Sequence, residues 1–391
     1  MSFFNDLRGV VEGFYGPPYP PSHRLAMLEI VSGLPGAPAW LHAPKDDPFH
    51  RVRWRERRPD PEMSDLRASA SGAGRLGVAW IEGCSPWLFR DGDAPLLRER
   101  AAEAREIGAA GFAVLFDDVV EPATPGLAAR QASLLLEAVD GSGLPVVACP
   151  TVYCEEQLDD GEGEAYLAEF IRLLPGGCSI LWTGPGVIPR RMEICPAIEG
   201  LAGEGRVVIW DNLLADDYTL RRIFLGEPRD RVVEGCGYLL NPSFRAVPSL
   251  YTLWRLASLL RGDGGPDAPP ALYGLADGLA LLSEFHDIPW GVRPRIIDLI
   301  DSLGDALERG TGFPAAAERA SRDLEEFRER LKATPGGFEI LPYLNDITRL
   351  LSIWRKALAS PHPAKELERL MVDRLPWDHP LAIGTARRMR S

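Results

Sequence analysis

Eight short apolar runs recur about every 30 residues through the first two-thirds of the 391-residue chain. They are RGVVEGFYG (8–16), AWLHAPKDD (39–47), LGVAWIEGCSP (76–86), GFAVLFDD (111–118), PVVACPTVY (145–153), CSILWTGP (178–185), RVVIWDN (206–212) and GCGYLLNP (235–242). Each is nearly continuous in apolar character, as parallel strands buried on both faces are. Amphipathic stretches lie between them. SHRLAMLEIVSGL (22–34) opens on a Ser cap candidate, APLLRERAAEAREIGAAG (94–111) ends in Gly, and LAARQASLLLEAVDGSG (127–143) ends in Asp-Gly-Ser-Gly. Eight alternating units predict a (β/α)8 barrel, with 248–262 as its last helix. A doubly wound sheet would have fewer strands and a Gly-rich phosphate loop after the first. Here GFYGPPYPP follows, and its prolines cannot present a row of backbone N–H groups.

RGDGGPDAPP (261–270) is the best boundary in the chain. The predicted division is a barrel over 1–262, a linker over 263–270 and a smaller α-helical bundle over 271–391. The bundle is read from IIDLIDSLGDALERG (296–310), AAAERASRDLEEFRERLKA (315–333) and LPYLNDITRLLSIWRKALAS (341–360). The tail 385–391 is expected to fray.

Composition narrows the function. A formal net charge of −13 provides no general basic face for nucleic acid or anionic membrane. RVRWRERR (51–58) holds five arginines and reads as a solvated loop. The six cysteines form no CxxC pair and the histidines lack zinc spacing, so no metal is expected. No charged-then-apolar leader and no 18-residue apolar run are seen, which gives the expectation of a cytoplasmic protein.

In such a barrel, reactive groups gather at the C-terminal ends of the strands. The runs end in Glu12-Gly13-Phe14-Tyr15-Gly16, Lys45-Asp46-Asp47, Asp117-Asp118, Tyr153, Trp182-Thr183, Trp210-Asp211-Asn212 and Asn241-Pro242. Asp216-Asp217-Tyr218 follows the seventh. Carboxylates, amides, a lysine and aromatics suit a sugar, whose hydroxyls need polar partners and whose apolar face stacks on rings. Four Asp-Asp pairs compete for the chemistry. Asp159-Asp160 lies in the acidic run EEQLDDGEGE and reads as solvated. Asp46-Asp47 follows a cation and reads as charge-paired. Asp117-Asp118 is delivered by an apolar strand and reads as reactive. Strand side chains alternate, so both can face a ligand only where the strand ends or bulges. A capping aspartate with a salt bridge, or a divalent-metal site, is the competing reading of that pair.

VVEGFYG, APKDD, LFDD, CPTxYC, LWTGP and WDNxxxxD-Y, in that order from Gly9 to about Leu260, resemble glycoside hydrolase family 84. These are β-N-acetylglucosaminidases that include the protein O-GlcNAcases and several bacterial enzymes called hyaluronidases. The resemblance implies that Asp117 orients and polarises the 2-acetamido N–H, and that Asp118 is general acid and then base. It implies Tyr153 near the reacting oxygen, Asn212 on the acetamido group and Trp210 lining the acetyl pocket. Asp217, Lys45, Asn241 and the Gly13 backbone are implied to bind sugar hydroxyls. GFYG is followed by Pro-Pro-Tyr where Arg-Pro-Trp is commoner, and CPT by Val where Glu is commoner. Both departures fall near the rim and bear on the aglycone.

The implied activity is a retaining exo-β-N-acetylglucosaminidase acting on terminal β-linked GlcNAc, including GlcNAc on Ser or Thr. Most retaining glycosidases place two carboxyls about 5 Å apart, one as nucleophile. Adjacent residues flank a bond poorly in that way, but they suit attack by the substrate's own acetamido oxygen through an oxazoline, a recognised exception. Like-charge repulsion is expected to leave one aspartate charged and the other protonated. Glu12, Asp46 and Asp47 are the candidates for an enzymic nucleophile, while His42 and His50 read as core or surface histidines. No metal or organic cofactor is required. The expected partner is a β-GlcNAc-bearing glycoprotein, glycopeptide or glycan. Neither nucleic acid nor membrane is expected, and a homodimer through the helical part is a further expectation. A hyaluronidase-like hydrolase, a metal-dependent hydrolase and a non-catalytic GlcNAc-binding protein are the alternatives.

Overall fold

The computed structural model describes residues 3–158, 161–262, 267–291, 293–334 and 336–372. Asp159, Asp160, residues 263–266 of the predicted linker and the tail 385–391 lie outside them. Eight strands close into an all-parallel barrel in chain order. They are β1 (Leu7–Glu12), β2 (Ala37–His42), β3 (Ala79–Cys84), β4 (Gly111–Leu115), β5 (Val146–Cys149), β6 (Ser179–Trp182), β7 (Val207–Asp211) and β8 (Gly237–Leu240). Every predicted run supplies one, so the expected (β/α)8 class is the observed one.

The covering helices are α1 (Pro21–Val31), α2 (Asp60–Arg75), α3 (Ala94–Glu106), α4 (Pro125–Ser142), α5 (Glu162–Leu173), the short α6 (Glu199–Gly203) and α7 (Ala246–Arg261). The Ser cap expected for α1 is not used. The helix starts one residue earlier, with Pro21 at its first position and no side-chain cap. Thr124 does cap α4, its Oγ1 accepting from the Leu127 N–H at 3.2 Å. No helix separates β7 from β8, so the strand–helix alternation fails there.

The chain divides in space into two compact units. The first takes residues up to 217 with 228–244 and 253–266; the second takes 218–227, 245–252 and 267 onward. The second unit is helical: α8 (Ala276–Ser283), α9 (Pro294–Arg309), α10 (Ala315–Lys332), α11 (Leu341–Leu358) and α12 (Pro363–Val372). Leu324, Phe327 and Leu331 of α10 are buried, as are Leu344, Ile347, Leu351 and Trp354 of α11. Their spacing of three or four residues is the apolar stripe of packed helices.

Inside the barrel, a single parity of each strand fills the core: Val11, Ala39 and Leu41, Ile81, Ala113 and Leu115, Val147 and Cys149, Leu181, Val208 and Trp210, and Leu239. The opposite parity faces the helices and carries charge. Glu12 is fully buried there, and its carboxylate accepts from Arg24 Nε and Nη2, both at 2.9 Å. The Tyr19 N–H at 2.9 Å and Trp40 Nε1 at 3.1 Å complete its shell. Glu12→Gln leaves the buried Arg24 charge without its partner. It is expected to lower stability by about 3–5 kcal/mol in urea unfolding of the full chain. A loss under about 1 kcal/mol would show that Arg24 does not depend on the pair.

Candidate active site

The inward parity continues past the strand ends into the mouth. Two residues beyond Val11 is Gly13, beyond Ala43 is Lys45, beyond Leu115 is Asp117, beyond Trp210 is Asn212, and beyond Leu239 is Asn241. Alternation therefore aims five of the sequence-predicted site residues at one place. Asp118 has the opposite parity. It reaches the mouth because β4 has ended at Leu115 and Asp117-Asp118 form a turn.

Lys45 ties the two aspartates together. Its buried ammonium pairs with Asp117 Oδ2 and lies 3.2 Å from Asp118 Oδ2. It also sits 5.8 Å from the Trp210 ring centroid. Burial alone would lower the Lys45 pKa, but the two carboxylates outweigh it and hold the group cationic. Asp117 Oδ1 is buried and has no hydrogen-bond partner. A buried carboxylate oxygen without a donor costs free energy, so its presence in a mouth marks a place for a ligand N–H or O–H.

Asp118 is more open and is held from the other side. The Tyr15 hydroxyl donates to Asp118 Oδ2 at 2.6 Å and accepts from Arg51 Nη1 at 2.8 Å. Arg51 Nη2 donates to the Asp118 carbonyl at 3.4 Å. Burial raises the Asp118 pKa, but Lys45, the Tyr15 hydrogen bond and Arg51 together bring it below the usual carboxylate value. The expectation that repulsion leaves one of the two aspartates protonated takes no account of Lys45, whose ammonium contacts both carboxylates. The same contact, with burial as the larger cause, pushes the Tyr15 hydroxyl up to about 12.

A polar chain lines the opposite wall. The Gly13 N–H donates to Asn241 Oδ1 at 3.3 Å, and Asn241 Nδ2 donates to Asn212 Oδ1 at 2.9 Å. Trp210 Nε1 donates to the same Asn212 oxygen at 2.7 Å. A Cβ on Gly13 would lie 2.3 Å from the Trp210 ring, so glycine is what lets that ring enter the floor. Tyr153 is fixed by its backbone: its N–H donates to Gln157 Oε1 at 2.8 Å and its carbonyl accepts from the Thr183 N–H at 2.9 Å. Burial, and next the charge of Asp117, raise the Tyr153 pKa and keep the phenol a neutral donor. Asp217 stands on the Tyr15 side, where its Oδ2 accepts from the Tyr15 N–H at 2.7 Å.

Three readings of the sequence change. Glu12 is no nucleophile candidate, since outward parity buries it among four donors. Asp47 pairs with Arg58 at 2.6 Å, and Asp46 accepts from the Gly16 N–H at 2.9 Å; neither pairs with Lys45. RVRWRERR is only partly solvated: Arg58 is buried and Arg51 turns into the site between Tyr15 and Trp87. Tyr15 stood in a recognised motif, but its contact with Asp118 had no local signal, and neither did that of Arg51. His42 and His50, read as core or surface histidines, are both buried. Among the described residues, no cluster of three or more His, Cys, Asp or Glu could hold a metal ion. Among the same residues, no helix is long and apolar enough to cross a membrane.

Residues 8–271 match the family model described as beta-N-acetylglucosaminidase. The chain is 31% identical over 277 residues to the Protein O-GlcNAcase of Rattus norvegicus, and equally to that of Mus musculus. Each match covers 66% of this chain and 30% of the relative, so it spans less than a third of those proteins. A mutant of the O-GlcNAc hydrolase of Thermobaculum terrenum superimposes with a TM-score of 0.78. That likeness covers 98% of this chain and 93% of the other at 19% identity, and it speaks to the fold.

The contacts of Asp118 make a titration test. Tyr15→Phe removes a hydrogen bond to the charged form, so the Asp118 pKa is expected to rise toward the ordinary carboxylate range. Carboxyl-carbon NMR of the free protein reads this directly. An unchanged titration would mean that Lys45 alone sets the charge of Asp118.

Proposed function

The chain belongs to the β-N-acetylglucosaminidase family, and from that premise we propose a retaining, exo-acting enzyme that removes terminal β-linked GlcNAc by substrate-assisted catalysis, with GlcNAc on protein Ser or Thr among its substrates. The observation that carries this reading is the lone buried Oδ1 of Asp117 beside a second carboxylate. An acetamido N–H donated to that oxygen would push electron density onto the amide carbonyl, which then attacks the anomeric carbon. The glycosidic bond breaks, and its electron pair takes the proton of Asp118. Water, deprotonated by Asp118, later opens the oxazoline. Two inversions keep the β configuration. Intramolecular attack needs no reactant brought in from solution, and effective molarity can supply about 7–11 kcal/mol of the barrier.

The remaining residues take roles consistent with their positions. Trp210 and Asn212 enclose the acetyl group, and Tyr153 donates to the oxygen that develops charge. Lys45, Asp217, Asn241 and the Gly13 N–H read the sugar hydroxyls. A substrate filling the mouth removes water from Asp118 and competes for its hydrogen-bond partners. Both effects raise its pKa toward that of an acid. The engagement of Glu12, Asp46 and Asp47 by other groups favours the substrate as nucleophile.

Two experiments test the assignment. Asp118→Asn should slow substrates with poor leaving groups by about 10²–10⁴-fold and activated phenyl glycosides much less. Asp117→Asn should slow both alike, because ring formation itself suffers. Equal leaving-group sensitivity in the two variants contradicts the roles. Stepwise fluorination of the acetyl methyl should depress kcat/KM steeply, since each fluorine weakens the attacking oxygen. A flat series, or a glycosyl ester trapped on a protein carboxylate, would mean that the chain supplies the nucleophile. In a non-catalytic GlcNAc-binding protein, none of these substrates would turn over.

A further inference from the structure

Of the stretch CPTVYC (149–154), the proposed chemistry uses only Tyr153. Two residues earlier, Thr151 lies against the turn that carries both aspartates. β4 and β5 pair in parallel as far as Leu115 and Cys149. One more rung follows, from the Phe116 N–H to the Cys149 carbonyl at 2.8 Å. The next rung of a regular parallel ladder would run from the Thr151 N–H to the Phe116 carbonyl. Here the side chain replaces it. The Thr151 hydroxyl donates to the Phe116 carbonyl at 3.0 Å, and the Thr151 N–H turns away to the Tyr166 hydroxyl at 2.9 Å. The strands can therefore part where the mouth opens without leaving the Phe116 carbonyl unpaired.

The polarity of this contact is fixed from behind. Gln131 of α4 and Tyr166 of α5 are both fully buried. Gln131 Nε2 donates to Thr151 Oγ1 at 2.8 Å, and the Tyr166 hydroxyl donates to Gln131 Oε1. With the bond from the Thr151 N–H, these close a ring through Thr151, Gln131 and Tyr166. A carbonyl only accepts, so the Thr151 proton goes to Phe116 and its oxygen receives from the Gln131 amide. A backbone N–H only donates, so the Tyr166 oxygen accepts from it and sends its own proton to Gln131. Only this arrangement of protons makes all four bonds. Burial pushes the Tyr166 pKa up and keeps that phenol protonated.

The carbonyl that Thr151 holds belongs to the peptide bond between Phe116 and Asp117. Behind it, the Phe116 ring packs at 6.0 Å from Phe89 and 6.5 Å from Phe170. Ring, N–H and carbonyl together fix the plane of that peptide, and the Asp117-Asp118 turn leaves it in one direction. We infer that Thr151 is a positioning residue for Asp117 and Asp118, acting through the Phe116 carbonyl. Its value for catalysis rests on the roles proposed for the two aspartates; its hold on the turn does not. A peptide plane free to rotate would carry Asp117 Oδ1 off the acetamido N–H and Asp118 off the glycosidic oxygen. Misplacement by about 1 Å can cost about 10²-fold in rate.

Thr151→Val keeps the shape of the side chain and loses the hydroxyl, while Thr151→Ser keeps the hydroxyl. With a phenyl β-GlcNAc glycoside, kcat of Thr151→Val should fall by about 10–100-fold with KM within about threefold, and Thr151→Ser should recover most of it. Carboxyl-carbon NMR of the free protein gives a second readout. Lys45, Tyr15 and Arg51 face Asp118 and lower its pKa, and Asp117 and Tyr153 share the mouth with it. A displaced turn weakens the three lowering contacts, so Asp118 should titrate at higher pH in Thr151→Val and not in Thr151→Ser. A residue that serves stability alone would lower Tm and move neither readout. Where Thr151→Val loses the parent's circular dichroism, Tyr166→Phe takes its place with a smaller expected loss, because it breaks the ring and leaves Thr151 present. A parent that does not turn over the glycoside refutes the proposed function, and the titration then decides the role of Thr151 by itself. A parent-like titration in the folded variant, a parent-like kcat where the parent is active, or a loss that Thr151→Ser does not recover overturns the assignment.

Discussion

The mouth of the barrel depends on the ammonium of Lys45. Two consecutive aspartates at the end of a buried strand repel each other, by roughly 4 kcal/mol at 4 Å in an effective dielectric of 20. Lys45 comes from the loop after β2, two strands away in the barrel, and contacts both. The cation is just as dependent, since a buried lysine without a counter-ion would lose its proton. The cluster therefore holds together only as three charges, with a net charge of −1. In the proposed mechanism, that sign would favour positive charge developing on a ring closing from an acetamido group. Arg51 is the fourth ion at this point, at 4.0 Å from Asp118, and it is less buried.

Around this centre, strand alternation sorts charge into two shells. Inward parity carries Gly13, Lys45, Asp117, Asn212 and Asn241, with polar atoms directed at the mouth. Outward parity carries Glu12, His42, Glu82 and Asp211. There Glu12 holds Arg24, Glu82 meets His42 and Arg58, and Asp211 accepts from Arg231 at 2.6 and 2.8 Å and from the Tyr238 hydroxyl at 2.8 Å. These buried pairs are weak evidence for stability in themselves. Their geometry gives them another use. Each ties a strand end to a helix, a loop or the end of the adjacent strand, so the loops bearing Tyr15, Asp46 and Arg51 start from fixed points.

This sorting also explains what could be read in the sequence. Eight strands were legible because parallel strands buried on both faces leave continuous apolar runs. Asp117 and Lys45 were legible because such runs deliver them. The nucleophile candidacy of Glu12 was a misreading that parity could have corrected, since Glu12 follows inward-facing Val11 by one residue. Arg51 was beyond local reading. A run with five arginines is normally solvated, and only distant Trp87 and Tyr15 turn this guanidinium inward. The missing helix between β7 and β8 was hidden in another way. Ile223, Phe224 and Leu225 in that connection are buried and look like a core element, yet they belong to the second compact unit. Its sequence neighbours give no sign of that.

The free site is charged where the proposed chemistry needs a proton, and this follows from the same three ions. Any cation strong enough to let Asp117 and Asp118 sit side by side also lowers the pKa of Asp118, the carboxylate that must act as acid in the proposed chemistry. Tyr15 reinforces that bias by hydrogen-bonding the ionised form. The bias is reversible only at Asp118. Asp117 is nearly enclosed and keeps its direct pair with Lys45, whereas Asp118 is open to the mouth, and its side-chain exposure is 30% against 11% for Asp117. A ligand entering the mouth therefore changes the surroundings of one aspartate far more than the other. In the proposed mechanism, unequal exposure, and not repulsion within the pair, would separate the two carboxyls into an orienting base and an acid that forms only when the site is filled.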